Sequence, residues 1–130
     1  QLPDTPGVIR LGRRDDVPDI LSAADMIVSP SAYGEGFSNA LAEGMSCGLP
    51  AVTTDVGDAR RIVGDTGIVV MPRDAVALGA AIGEMCDTGK LVERGRAARQ
   101  RIVEKFSLDR SVARFRLLYE NGLRDEDPVS

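Results

Sequence analysis

Short apolar runs alternate with stretches of helical period, and no other property of the sequence narrows the fold as far. The runs are Val8-Ile9-Arg10-Leu11, Met26-Ile27-Val28, Ala51-Val52-Thr53 and Gly67-Ile68-Val69-Val70. Between them lie Val17 to Ala24, about Ser38 to Cys47, and about Ala59 to Val63. Ile20, Leu21 and Ala24 share one helical face, and Pro18 is tolerated in a first turn. Phe37, Ala40, Leu41, Gly44, Met45 and Gly48 recur with the helical period, and Gly48 followed by Pro50 is a helix stop. Strands this short, each returning through a helix, make a parallel sheet covered on both faces. The predicted class is α/β with about four strands. Beyond Pro72 the pattern becomes helical throughout. Asp74 to Cys86 presents Val76, Leu78, Ala81, Ile82 and Met85, and Leu91 to Phe106 presents Leu91, Ala98, Ile102 and Phe106. Ser107 is an N-cap for a last helix with Val112, Phe115, Leu118 and Tyr119 inward. The polar stretch 124–130 is expected to be a flexible tail.

Composition excludes several functions. Hydrophobic residues make up 43% of the 130 but aromatics only 4%, so the core must be built from Val, Ile, Leu, Ala and Met. A net charge of −4 argues against nucleic acid as a partner, because such binders need a basic face. There is no histidine, which removes a histidine base and most zinc sites. Cys47 and Cys86 have no metal-type spacing and are expected to be reduced, buried thiols. No apolar run approaches the roughly 20 residues of a membrane-spanning helix. The chain opens on Gln1, not Met, without a signal-peptide pattern, and reads as a fragment.

The chemistry concentrates between Ser29 and Met45. The run Met26-Ile27-Val28 feeds a Ser- and Gly-rich loop that turns into a helix, and such a helix start suits a phosphate. Glu35 and Glu43 bracket the turn with seven residues between them. An ionised carboxylate only accepts hydrogen bonds, so it suits hydroxyl groups. Phosphate beside polyol points to a nucleotide or a nucleotide sugar.

Three stretches then carry a resemblance. They are Asp16-Val17-Pro18-Asp19-Ile20-Leu21, Ala24 to Ser31, and Glu35-Gly36-Phe37-Ser38-Asn39-Ala40-Leu41-Ala42-Glu43-Gly44-Met45 with Gly48-Leu49-Pro50. Together with Val8 to Gly12, Phe106-Ser107 and Leu118-Tyr119, they resemble the donor-binding half of the family 4 glycosyltransferases. The resemblance implies a partial Rossmann-like, doubly wound sheet, with residues 1–123 forming part of a C-terminal nucleotide-sugar-binding domain. Its first two strands would lie outside this chain, leaving the third to sixth of a sheet ordered 3-2-1-4-5-6. Val8–Leu11 would then pair with Met26–Val28, stay unpaired, or pair with another chain.

The same resemblance implies a retaining hexosyltransferase, without metal or other cofactor, whose substrate is a nucleoside-diphosphate sugar. Glu35 would be the catalytic carboxylate, holding donor-sugar hydroxyls near the reacting carbon. Backbone amides of Gly36, Phe37, Ser38 and Asn39 would face sugar and diphosphate, with those of Ala40 and Leu41 at the helix start. Glu43 would accept from both ribose hydroxyls. A glycan or lipid-linked acceptor would sit on an N-terminal domain that these residues lack, and the Arg and Lys that meet the diphosphate would belong to the missing opening of the donor domain, before the equivalent of Val8. The 130 residues alone are therefore expected to be inactive. The expected location is cytoplasmic, with peripheral association of the parent enzyme at the cytoplasmic face of a membrane. Asp58-Ala59-Arg60-Arg61 departs from the family by placing Arg where Glu is frequent, and those arginines are expected to form a solvated face. A rival from another class is a non-catalytic nucleotide-binding or interaction module of flavodoxin-like shape. An epimerase of similar two-domain fold is a third option, and it would need acidic and histidine groups not present here.

Overall fold

The computed structural model describes residues 4–34, 36–87, 89–110, 112, 113 and 116. Three strands, β1 (Ile27–Ser29), β2 (Ala51–Thr54) and β3 (Ile68–Val70), form a parallel sheet in the order β1-β2-β3. Ile27 stands opposite Ala51, and Val52 opposite Ile68. Five helices accompany them: α1 (Val17–Ala23), α2 (Asn39–Ser46), α3 (Ala59–Val63), α4 (Ala75–Asp87) and α5 (Leu91–Phe106).

The pleat sends alternate side chains to opposite faces. Ile27, Ala51 and Val69 meet Leu41 and Met45 of α2, Ala59, Ile62 and Val63 of α3, and Ala98 and Ile102 of α5. Val28, Val52, Ile68 and Val70 meet Leu78, Ala81, Ile82 and Met85 of α4. All four residues of β2 are buried, as a central parallel strand requires. Each large side chain taken fully out of water contributes about 1.5–3 kcal/mol. Leu41, Met45, Ile62 and Met85 are such side chains. Two glycines let the helices come this close. A Cβ on Gly44 would run into the Ile27 side chain, and one on Gly95 into the carbonyl of Gly48. Helix α5 also ties off its neighbours: Arg101 donates to the carbonyls of Ile62 (2.8 Å) and Arg61 (2.6 Å), and Arg99 to that of Ser46. These carbonyls end α3 and α2, where intrahelical donors run out.

The α/β class and its parallel sheet agree with the sequence, and the adjacency of the three strands matches the 4-5-6 half of the doubly wound order. The strand count does not. Val8–Leu11 has no ladder partner among the described residues, which sets aside the expected pairing with Met26–Val28. Ile9 is 81% exposed, and the segment forms a local turn, Val8 N–H to the Thr5 carbonyl. A strand gains its stability from neighbours on its edges and a face to pack on, and this segment has neither. Beside it, Arg14 holds both carboxylate oxygens of Asp16 at 2.7 Å, which keeps that carboxyl below its ordinary pKa.

Smaller corrections share one cause, the roll of a helix about its axis. Val76 and Ala40 face solvent, while Ala81, Met85, Leu41, Gly44 and Met45 take the core positions. The cysteines are exposed, not buried: Cys47 caps the C-terminus of α2, and Cys86 follows the buried Met85 on the outer side of α4. Arg110 N–H reaches Ser107 Oγ at 3.4 Å, as the capping expectation requires. Val112, expected inward, is exposed, and Phe115, Leu118, Tyr119 and the tail 124–130 lie outside the described residues.

Candidate functional site

The loop after β1 returns at the carboxyl end of the sheet and enters α2 there. Its geometry is fixed from below. Thr54 Oγ1 at the end of β2 donates to the Ser31 carbonyl at 2.6 Å, and Thr53 Oγ1 to that of Ser29 at 3.2 Å. Gly34 sits at φ 83°, a turn conformation other residues adopt only with strain. Ser38 is the N-cap: its backbone is extended, its side chain is buried, and its Oγ accepts from Leu41 N–H at 3.4 Å.

That cap divides the predicted donors. The Leu41 amide is engaged by Ser38 and its side chain is fully buried, so it is committed to the fold. The N–H groups of Asn39 and Ala40 open α2 without an acceptor among the described residues, and both residues are exposed. Glu43 is also exposed, four residues after Asn39 on the same side of the helix and about 6 Å along its axis. Gly36 is exposed, with open space where a Cβ would project. Phe37 is 40% exposed. Glu35 lies outside the described residues. The structure therefore brings Gly36, Phe37, Asn39, Ala40 and Glu43 to one exposed turn, anchored by Ser38 and Leu41.

Beside the turn a cleft of about 240 Å³ opens at the carboxyl ends of the three strands, lined by Pro30, Ala32, Thr54, Arg73, Asp74 and Leu78. Ligands of open parallel sheets bind outside this end. Arg73 places its guanidinium 5.9 Å from the Tyr33 ring, and its backbone is left-handed at φ 63°. Asp74 caps α4 through a 2.8 Å bond from Ala77 N–H. Arg60 pairs with Asp55 at 2.9 Å on the surface, which fits the solvated face expected of it. Arg61 does otherwise: it stands 3.5 Å from Asp58 and over the ring of Phe106, 5.8 Å from its centre. Among the described residues no group of three or more carboxylates and cysteines converges as a metal site would require. No described helix is long and apolar enough to cross a membrane.

Sequence reasoning missed three supports of the turn. Asp58 N–H donates to the Gly36 carbonyl at 3.1 Å, Phe37 packs on Phe106 with ring centres 5.7 Å apart, and Arg73 meets Tyr33. Phe106 was legible only as a core position. Nothing in the sequence around Pro72-Arg73-Asp74 marks the left-handed arginine.

A parallel sheet with an exposed, capped helix start at its carboxyl end defines a parallel α/β fold class. The chain belongs to the family described as glycosyl transferases group 1, whose family model matches residues 1–88. Known relatives agree with that. It is 30% identical over 122 residues to the N-acetyl-alpha-D-glucosaminyl L-malate synthase of Bacillus anthracis, matching 92% of this chain and 32% of that protein. It is 29% identical over 114 residues to an Escherichia coli UDP-Gal:alpha-D-GlcNAc-diphosphoundecaprenol alpha-1,3-galactosyltransferase, matching 86% of this chain and 29% of that one. Among solved structures, sucrose-phosphate synthase from Thermosynechococcus elongatus superposes with a TM-score of 0.69 at 33% identity, over 78% of this chain and 26% of that one. The chain thus spans a third or less of the length of these proteins. They are glycosyltransferases, and the resemblance read from the residues stands.

Proposed function

We propose that the turn from β1 into α2 is the donor side of a retaining hexosyltransferase, holding a nucleoside-diphosphate sugar. The observation that carries this reading is the pairing of two open amides, Asn39 and Ala40, with an exposed carboxylate one turn further, Glu43. The amides and the helix dipole favour a phosphate by about 0.3–1 kcal/mol at an exposed site, and more when it is partly buried. Glu43 accepts from the two ribose hydroxyls with its two oxygens. Glu35 holds hydroxyls of the sugar next to the reacting carbon, and Gly36 and Phe37 line its path. The cleft at Thr54 and Arg73 lies at the same end of the sheet.

Transfer in this reading is metal-independent, by positioning and by stabilising the charge of the departing diphosphate with protein donors. The acceptor is a glycan or a lipid-linked sugar, the latter in keeping with the diphosphoundecaprenol substrate in the name of the Escherichia coli relative. A lipid-linked acceptor places the parent enzyme at the cytoplasmic face of a membrane, as a peripheral protein. The 130 residues by themselves bind donor without useful turnover.

Calorimetric titration with nucleoside-diphosphate sugars tests the reading. The expected result is saturable binding that is lost equally in Glu35→Ala and Glu43→Ala. Binding by neither the unmutated protein nor the variants would favour a non-catalytic module of flavodoxin-like shape, and robust transfer by the 130 residues alone would contradict the inactivity.

A further inference from the structure

The exposed turn hangs from a clasp formed by two helices remote in sequence. Phe106, the last residue of α5, lies between Phe37 in the turn and Arg61 in α3. The Phe37 and Phe106 rings are tilted by 52° with centres 5.7 Å apart, a favourable edge-to-face range. The Arg61 guanidinium stands 5.8 Å from the centre of the Phe106 ring, within cation–π reach. Helix α3 grips the same turn a second time, because Asp58 N–H donates to the Gly36 carbonyl and Asp58 Oδ1 stands 3.5 Å from Arg61 Nε. Asp58 and Phe106 thus hold two consecutive residues, Gly36 and Phe37, and Arg61 touches both of those holders. Simple core packing does not ask for this: Phe37 is 40% exposed and Gly36 is exposed, so neither is held by burial.

We propose that Phe106 is a positioning residue for the donor, acting through Phe37 to fix the Gly36–Phe37 backbone where sugar and diphosphate bind. The inference rests on the donor-site reading of this turn. Arg61, in the Asp58–Arg61 stretch where the resemblance leads one to expect a Glu, locks the Phe106 ring from behind. Loss of the ring frees the Gly36–Phe37 peptide to rotate, so the cost falls on the sugar-diphosphate end of the ligand. Phe106 also packs against the core that holds Leu41, Met45 and Ile62, so the Val52 amide at the centre of the sheet serves to separate loss of the clasp from loss of the core.

The test uses the intact protein with Phe106→Ala, Phe106→Tyr and Arg61→Gln, and Val103→Ala on the exposed side of α5 as control. Hydrogen exchange without ligand reads the clasp: Phe106→Ala is expected to speed exchange of the Asp58 and Leu41 amides and leave Val52 unchanged. Calorimetry reads the consequence: affinity for a nucleoside-diphosphate sugar falls about tenfold, while that for the nucleoside monophosphate changes less than about twofold. Phe106→Tyr restores both readouts, and Arg61→Gln shifts them in the same direction by about two- to threefold. Unchanged Asp58 exchange in Phe106→Ala and Arg61→Gln would overturn the proposal, as would equal loss of affinity for both ligands. If the unmutated protein binds no nucleotide sugar while the exchange pattern holds, the donor reading fails and the clasp stands as a structural device alone.

Discussion

Residues 8–11 and residues 26–28 are two short apolar runs, yet only the second yields a strand. Met26-Ile27-Val28 lies beside β2, under Gly44 of α2 on one face and α4 on the other. Val8-Ile9-Arg10-Leu11 joins no strand among the described residues, and its apolar side chains are exposed. The difference teaches that strand formation here is a property of the surroundings and not of the run. Apolar sequence supplies a candidate, and a neighbouring ladder with a covered face decides it. The turn proposed to hold the donor depends on the favoured member of the pair, since it begins where β1 ends and is pinned to β2 through Thr53 and Thr54.

The comparison can be broken hardest at Gly44. Gly44→Val forces atoms into Ile27 and lifts α2 from β1, with an expected loss of about 3 kcal/mol or more from overpacking and repacking. Chemical denaturation would show it as a lower midpoint, and a native-like midpoint would contradict the close approach. Next comes Ser38→Ala, which removes the cap between β1 and α2. It should cost about 1 kcal/mol in the same experiment. The smallest effect belongs to the other run. Ile9→Ser should change stability by less than about 0.5 kcal/mol, as an exposed substitution does. A loss of several times that would mean that residues 8–11 are packed after all.

Local signals explain what was legible. Ser38 as a cap and Gly48 followed by Pro50 as a stop act within a few residues, and α2 begins and ends within a residue of where they place it. The same holds for α5, which ends at Phe106 before Ser107. The three strands of the sheet were legible because each run is flanked by turn residues and faces helices on both sides. The fate of Val8–Leu11 was not, because it depends on a partner absent from its own sequence. The clasp on the turn was hidden for a similar reason. Phe37 and Phe106 meet only once α5 has docked on α2, and helical period alone marks Phe106 as one more core residue. The spending of the Leu41 amide on Ser38 was foreseeable from the cap geometry, since the residue three places after a serine cap is the usual donor.

The central claim is that the start of α2 receives the diphosphate of a nucleotide sugar. Amide chemical shifts followed during titration with a nucleoside-diphosphate sugar test it most directly. The account predicts saturable shifts at Gly36, Asn39 and Ala40 with one common dissociation constant, and none at Val8, Ile9 or Leu11. Shifts that spare Asn39 and Ala40 while saturating elsewhere would contradict it.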